Sequence, residues 1–166
     1  RSYSSALYLA ALAGTGAMKE NSDTINRLVS YLKTAQLDED EGEGVPPYDW
    51  HYGSWNYYDR ADTGTVRVDA SVHAYCLAAL AAAGVEAEDP VWGKARMYTE
   101  RCHNWAAGRA AGPGNDGGFA FSPRVSKAGK QDVNGKPLFL SYGSATADGL
   151  WALQSLGVPA SDPRSQ

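Results

Sequence analysis

The chain has 166 residues, 43% of them hydrophobic, so it is the size of one ordinary domain with enough apolar content for a core. Its formal net charge of −4 disfavours binding to nucleic acid or to an anionic lipid surface, because both require a cationic face. The longest nearly apolar run, from Val72 to Val85, is shorter than the roughly 20 residues that a membrane-spanning helix needs. We therefore expect no membrane span.

The predicted elements are helices of two kinds that alternate along the chain. The first kind is rich in Ala and Leu and should be buried on more than one side; it is predicted at about Tyr3–Thr15, Asp69–Ala83 and Tyr142–Leu156. The second kind is amphipathic with a solvated face, and is predicted at about Ser22–Gln36 and Asp89–Trp105. Ser22-Asp23 and Asp89-Pro90 supply start signals for the two amphipathic helices.

A pattern of eight residues, Leu-x-Ala-Leu-x-x-x-Gly, closes each apolar helix. It occupies 9–16, 77–84 and 150–157, so the repeating unit is long enough to hold two helices and their connections. Its Gly stands where a helix end favours positive φ. The sequence therefore predicts an all-α fold in which inner apolar and outer amphipathic helices form two layers of an open, partial α/α toroid.

The count of helices is uneven, with three inner helices and two complete outer ones. Asp162-Pro163 repeats the helix start found at Asp89-Pro90. Stacked repeats normally need neighbours to cover their apolar faces. We therefore expect residues 1–166 to form a single partial toroid domain of a longer repeat chain, docked on the remaining repeats or on a protein partner.

Two long loops, 37–68 and 106–141, connect each outer helix to the next inner one. Within the second loop, Phe119–Ser122 and Pro137–Leu140 are expected to pair as one short β-ribbon, with Asn134-Gly135 as its turn. Both loops are rich in glycine and in aromatic residues, which either form an apolar binding mouth or wedge between repeats. These aromatic residues are Trp50, Trp55, Tyr57, Tyr58, Phe119 and Phe121.

Several stretches together resemble the prenyltransferase and squalene-cyclase repeat. The resemblance is carried by Gln36 followed by Gly53-Ser54-Trp55, by His103-Asn104 followed by Asp116-Gly117-Gly118-Phe119, and by Ser144-Ala145-Thr146 leading to Leu150. It covers nearly the whole chain. It implies the α/α toroid of a superfamily that includes triterpene cyclases, protein prenyltransferase β subunits and bacterial repeat-containing proteins.

The triterpene cyclases of this superfamily protonate an alkene with an Asp-x-Asp-Asp-Thr-Ala motif at the start of an inner helix. The matching stretch here begins at Asp69 and keeps only the first Asp, which could equally serve as the helix N-cap. Asp148 lies inside an apolar inner helix, on the face expected to line the lumen. Asp69 and Asp148 are therefore the candidate catalytic acids, and Asp148 could instead anchor a ligand or play a structural part.

The protein prenyltransferases bind zinc through Asp, Cys and His. His73 falls one position late for their His ligand, which rotates its side chain by about 100° around the helix. Cys102 and His103 are adjacent, so they point apart. The acidic run 38–43 lacks the alternating carboxylates of a calcium loop and is interpreted as a solvated loop. We expect no metal or other cofactor, and two buried thiols at Cys76 and Cys102.

The leading functional hypothesis is a repeat domain without its own catalytic acid that binds an apolar, terpenoid-like ligand or a protein partner. The candidate binding residues are Tyr75, Trp55, Tyr57, Phe119 and Tyr142. The first alternative is part of a triterpene cyclase of the squalene-hopene type whose acid motif lies outside this chain. The second is a zinc-dependent subunit similar to the β subunit of protein prenyltransferases.

Overall fold

The structure, a computed structural model, describes residues 1–16, 19–40, 44–58 and 66–165. Its elements are α1 (Ser2–Gly14), α2 (Ser22–Thr34), α3 (Ala70–Ala82), α4 (Pro90–Cys102), β1 (Lys130–Val133), β2 (Lys136–Phe139), α5 (Gly143–Ser155) and a 3₁₀ turn (Pro163–Ser165). The described part is mostly helical with one small sheet, as the sequence predicts. None of the described helices combines the length and apolar character that a membrane span requires.

The three apolar helices lie side by side, with α3 in the middle. Helix α3 packs against α1 on one side and α5 on the other, whereas α2 and α4 make smaller contacts with this layer. Up to residue 80, α3 is buried except for one stripe formed by Ser71, Tyr75 and Ala78. The prediction that the apolar helices are buried on more than one side is thus confirmed for α3.

Each apolar helix ends as its repeated glycine predicts. Gly16, Gly84 and Gly157 have φ of 71°, 74° and 74°, a region that residues with a side chain rarely adopt. After Gly157, the amide of Val158 donates to the carbonyl of Leu153 at 3.0 Å, which satisfies a carbonyl at the helix end. The helices begin and end within one residue of the predicted bounds.

The amphipathic helices are shorter than predicted at their carboxyl ends. Helix α2 ends at Thr34 because Gln36 pairs with Trp55 in an isolated β-bridge, and α4 ends at Cys102 because His103 pairs likewise with Phe119. The start of α4 follows the prediction, since Asp89 Oδ1 accepts from the amide of Val91 at 3.0 Å. Helix α2 does begin at Ser22, but its N-cap is Asn21 and no side-chain oxygen caps it.

The predicted ribbon exists, but one of its two strands was misplaced. The turn is Asn134-Gly135, with φ of 55° and 77°, as expected for a two-residue hairpin. The paired strands are Lys130–Val133 and Lys136–Phe139, so Phe119–Ser122 takes no part. The reason is geometric, because a two-residue turn pairs the residues that directly flank it.

Both cysteines are buried free thiols, as predicted. Burial raises the pKa of the Cys102 thiol to about 12, and it raises the pKa of Cys76 as well. Neither thiol is a reactive nucleophile in this environment, because the thiolate is the nucleophilic form.

The contact between Gly149 of α5 and Phe119 gives the first prediction. A Cβ added at Gly149 would lie 2.2 Å from the Phe119 ring, so Gly149→Ala should lower the free energy of unfolding by about 1–3 kcal/mol. Gly93→Ala is the matched control, since a Cβ there meets nothing within 4 Å. We expect that control to stabilise α4 by about 0.5–1 kcal/mol. Urea denaturation followed by circular dichroism measures both changes, and equal effects of the two substitutions would contradict the packing described.

Candidate functional site

The first long loop is tied to the helices around it by Gln36. The Gln36 side-chain amide donates to the carbonyl of Gly53 at 3.0 Å and to that of Val91, at the start of α4, at 3.1 Å. The indole of Trp55 donates to the carbonyl of Leu32 at 2.7 Å. These bonds join the end of α2, residues 53–55 of the loop and the beginning of α4.

The second long loop is held in an equivalent way. The amide of Asn104 donates to the carbonyl of Gly118 at 2.8 Å, and the amide of Gly117 donates to the carbonyl of Asn104 at 3.0 Å. The His103 and Phe119 rings stack with centroids 4.0 Å apart. The pairs Gln36 with Trp55 and His103 with Phe119 therefore occupy the same place in two successive units.

Trp55 and Phe119, two of the candidate binding residues, lie inside the protein. Their exposed fractions are 0% and 1%, and both belong to the main hydrophobic cluster. Neither ring offers a surface to a ligand in this structure. Of the two interpretations open for these aromatic residues, the structure favours packing between units over a binding mouth.

The candidate site is a row of four aromatic rings across the three apolar helices, which we call the aromatic row. It consists of Tyr57, Tyr3, Tyr75 and Trp151, with successive ring centroids 5.9, 5.3 and 5.0 Å apart. The rings come in order from the first long loop, α1, α3 and α5. All are partly exposed, and Trp151 exposes 38% of its surface. The row is a continuous apolar strip open at the surface of the described residues.

The loop end of the row carries a positive charge. The guanidinium of Arg67 lies 5.4 Å from the centre of the Tyr57 ring, within the range of a cation–π contact. Tyr58 packs edge-on against Tyr57, with centroids 5.1 Å apart. These contacts fix the orientation of the Tyr57 ring.

A carboxyl group lies on the side of α5 that carries Trp151. Asp148 precedes Trp151 by three residues on α5, so the two side chains share one side of the helix. Asp148 is partly buried, and its pKa is raised first by this burial and then by the negative charge of Asp69, whereas Lys127 lowers it. This carboxyl group can therefore act as a polar anchor beside the apolar strip.

Asp69 and Tyr142, two further candidate residues, are placed by helix starts. Asp69 is buried at the N-cap of α3, and its Oδ1 accepts from the amide of Val72 at 2.9 Å, which is the capping role the sequence offered as one interpretation. Tyr142 is the N-cap residue of α5 and is partly buried, which raises its pKa. The negative charge of Asp148 also raises the pKa of Tyr142, so the two side chains lie near each other.

Tyr3 and Trp151 are not among the binding residues predicted from the sequence. When the three apolar helices are aligned on their shared pattern, Ser71, Tyr75 and Ala78 form the partly exposed stripe of α3. The matching positions are 3, 7 and 10 in α1 and 144, 148 and 151 in α5, which include both missed residues. The repeat alignment is thus the signal that could have found them.

His73 lies in the core rather than in the row. Its Nε2 is 2.8 Å from the Thr99 hydroxyl, which itself donates to the carbonyl of Ala95, so Nε2 carries the proton. Its Nδ1 and the hydroxyl of Tyr98 are buried without a hydrogen-bond partner, and both side chains line one small cavity. Within the described residues, no three His, Cys, Asp or Glu side chains are grouped closely enough to hold a metal ion.

The start of the acidic run is paired with a cation of this chain. Lys94 Nζ lies 2.7 Å from Asp38 and 3.4 Å from Asp40. Asp38 is buried, and its Oδ1 also accepts from the amide of Asp40 at 2.9 Å. Residues 41–43 of the run lie outside the described residues. The loop carboxylates that are described thus anchor the loop to α4.

Comparison of the chain with protein-family models, with curated proteins and with solved structures finds no match. The feature with a chemical capability is the aromatic row with a carboxyl group beside it, which can contact an elongated apolar molecule along its length.

Burial of His73 gives the second prediction. Burial lowers the pKa of His73 to about 3 in the folded state, against an unfolded value near 6.5. Between these values the unfolded state binds a proton that the folded state does not, so stability falls as the pH falls, by at most about 1.4 kcal/mol per pH unit. His73→Gln should flatten this dependence between pH 6 and 4.

Urea denaturation of the wild type and of His73→Gln at pH 7, 6, 5 and 4 measures the two slopes. A constant difference in the free energy of unfolding between the two proteins reports the lost packing. Only the difference in slope with pH reports the protonation of His73. Parallel curves would show that His73 titrates normally in the folded protein.

Proposed function

We propose that this chain is a partial α/α toroid domain of the prenyltransferase and squalene-cyclase repeat type, which binds an apolar, terpenoid-like ligand along the aromatic row. The observation that carries the proposal is the row itself, four rings from four separate segments with centroid spacings of 5.0 to 5.9 Å. Leaving large apolar side chains exposed to water is costly, so a contiguous exposed strip of them indicates a binding site.

The repeat architecture supports the toroid part of this proposal. Three apolar helices lie side by side, and amphipathic helices pack against that layer. The two long loops are anchored at equivalent positions, Gln36 with Trp55 and His103 with Phe119. In an α/α toroid the inner helices form one layer that lines a lumen, and the aromatic row lies on the side of this layer that is not covered by other described residues.

The row is suited to an extended hydrocarbon rather than to a compact polar ligand. Its four rings give an extended apolar contact area, and charged groups accompany it at Arg67, over the Tyr57 ring, and at Asp148, on the same side of α5 as Trp151. Ligand sites commonly combine a large apolar lining with a few polar groups that fix orientation. An isoprenoid alcohol fits this pattern, because its chain can follow the rings and its hydroxyl can reach one of these charged groups.

We propose further that the chain supplies no catalytic acid of its own. A cyclase acid needs crowded carboxylates, and at the matching position only Asp69 is present, where it caps α3. One observation favours the alternative, a contribution to a triterpene cyclase: Asp148 lies beside Trp151 and has a raised pKa. No arrangement of side chains within the described residues favours the zinc-dependent alternative.

Titration with farnesol tests ligand binding and gives the third prediction. Tyr75→Ala and Trp151→Ala should each weaken farnesol binding about tenfold, because each removes one ring of the row and about 1.4 kcal/mol of contact. Tyr48→Ala is the matched control, since Tyr48 is 89% exposed in the first loop and is not part of the row. Isothermal titration calorimetry measures the affinities.

Two results would count against the proposal. The first is the absence of farnesol binding by the wild type, and the second is an equal loss of affinity in Tyr48→Ala. If squalene were converted to a cyclic product by the wild type and not by Asp148→Asn, the cyclase alternative would replace the binding function.

A further inference from the structure

The three inner helices α1, α3 and α5 have two distinct sides, which can be compared position by position. We align the three helices on their shared pattern and name one side of each the forward face. The forward face consists of positions 2, 6 and 9 in α1, of positions 70, 74 and 77 in α3, and of positions 143, 147 and 150 in α5. The backward face is at 4, 8 and 11, then 72, 76 and 79, then 145, 149 and 152. Spacings of four and three residues place each set on one side of its helix.

The forward face of one inner helix meets the backward face of the next. Cys76 Sγ, on the backward face of α3, lies 4.0 Å from the carbonyl of Ser2, on the forward face of α1. Helix α5 also packs on α3, and Ala70 of the forward face of α3 lines one small cavity together with Gly149 and Ala152 of the backward face of α5. The same interface therefore occurs twice within this chain.

The forward face is buried in both helices where the next inner helix covers it. On the forward faces of α1 and α3, the exposed fraction is 0% for Ala6, Leu9, Ala74 and Leu77. On α5, the forward face carries the same two residue types, but Ala147 is exposed and 37% of Leu150 is exposed. The forward face of α5 thus repeats the residues of a buried interface without being covered in the described part of the chain.

We propose that the forward face of α5 is an interaction surface for one more inner helix of the same repeat type. This inference extends the proposed repeat architecture and is independent of ligand binding at the aromatic row. The two existing interfaces define the chemistry of the partner helix, which presents small residues with spacings of four and three. The residues that form this surface in the two existing interfaces are Val72, Cys76 and Ala79 on α3, and Ala145, Gly149 and Ala152 on α5. Beside this face runs a groove lined by Leu150, Gln154, Val158 and Pro159.

A following repeat fits this surface better than a second copy of the chain. The backward face available on a second copy would be that of α1, where Tyr8 stands at the position of Cys76 and Gly149. Tyr8 is 53% exposed and adds an aromatic ring where the other two backward faces are small. Helix α1 therefore does not present the small-residue surface that both existing interfaces use.

The experiment adds one repeat built from the chain itself. Residues 1–161 are joined to a second copy of 89–157, so that the copied Asp89-Pro90 replaces Asp162-Pro163 and the added inner helix can reach α5. Leu150→Cys in the first copy places a thiol on the forward face, and its reaction with a disulfide reagent reports exposure, since the native thiols are buried. We expect the introduced thiol to react at least about 100-fold more slowly in the extended chain than in the 166-residue chain.

Ser144→Cys is the matched control, because Ser144 is exposed on α5 but lies outside the forward face. Its thiol should react at similar rates in both chains. A second variant, Ala145→Arg in the added copy alone, places a charge on the new backward face and should restore the reactivity of the thiol at 150.

Three results would overturn the proposal. In the first, the extended chain gains helical circular dichroism but the thiol at 150 stays as reactive as before. In the second, the added repeat remains unfolded although the forward face of α5 is available to it. In the third, the thiol at 150 is protected in the unextended chain as protein concentration rises, which would identify a second copy as the occupant. The farnesol titration does not depend on any of these results, so the two proposals can fail separately.

Discussion

Close packing of α3 between α1 and α5 is the constraint on which the rest of the structure depends. Two neighbours can approach one helix this closely because the facing residues are small. Ala74 and Ala79 of α3 are fully buried, and on α5 Ala145 and Ala152 are 1% and 2% exposed. Interiors packed at this density tolerate little added volume, so the sequence of these faces is tightly limited. The repeated Leu and Ala positions are the visible result of that limit.

The same packing produces the candidate site. Because the apolar helices lie side by side, the Tyr75 ring of α3 has its centroid 5.3 Å from that of Tyr3 on α1 and 5.0 Å from that of Trp151 on α5, although the three residues are far apart in sequence. The Gln36 anchor holds the first long loop, which adds Tyr57 to the end of the row at 5.9 Å. Gln36 belongs to none of the rings, but its bond to Gly53 holds the loop four residues before Tyr57.

The helices were largely predictable from the sequence because their signals are local. The two types of helix follow from the periodicity of their apolar residues. The helix ends at Gly84 and Gly157 follow from the preference of glycine for positive φ, and the start of α4 follows from Asp89 as its N-cap. The site was predictable only in part. Tyr75 and Tyr57 were identified, but Trp55 and Phe119 are buried, because an aromatic residue in a loop has the same appearance in sequence whether it packs or binds. The ribbon strand was misplaced because pairing depends on the turn, not on β-propensity.

Native-state amide hydrogen exchange tests whether α3 is packed between α1 and α5, because it reports how strongly each helix is held by its neighbours. If α3 is the middle helix of the layer, the amides of Leu77 to Leu80 should be the slowest to exchange in the protein, close to the limit of global unfolding. The amides of α1 and α5 should exchange faster, since each has one side uncovered in the described chain. Equal rates in the three helices, or slowest exchange in α1 or α5, would contradict the account.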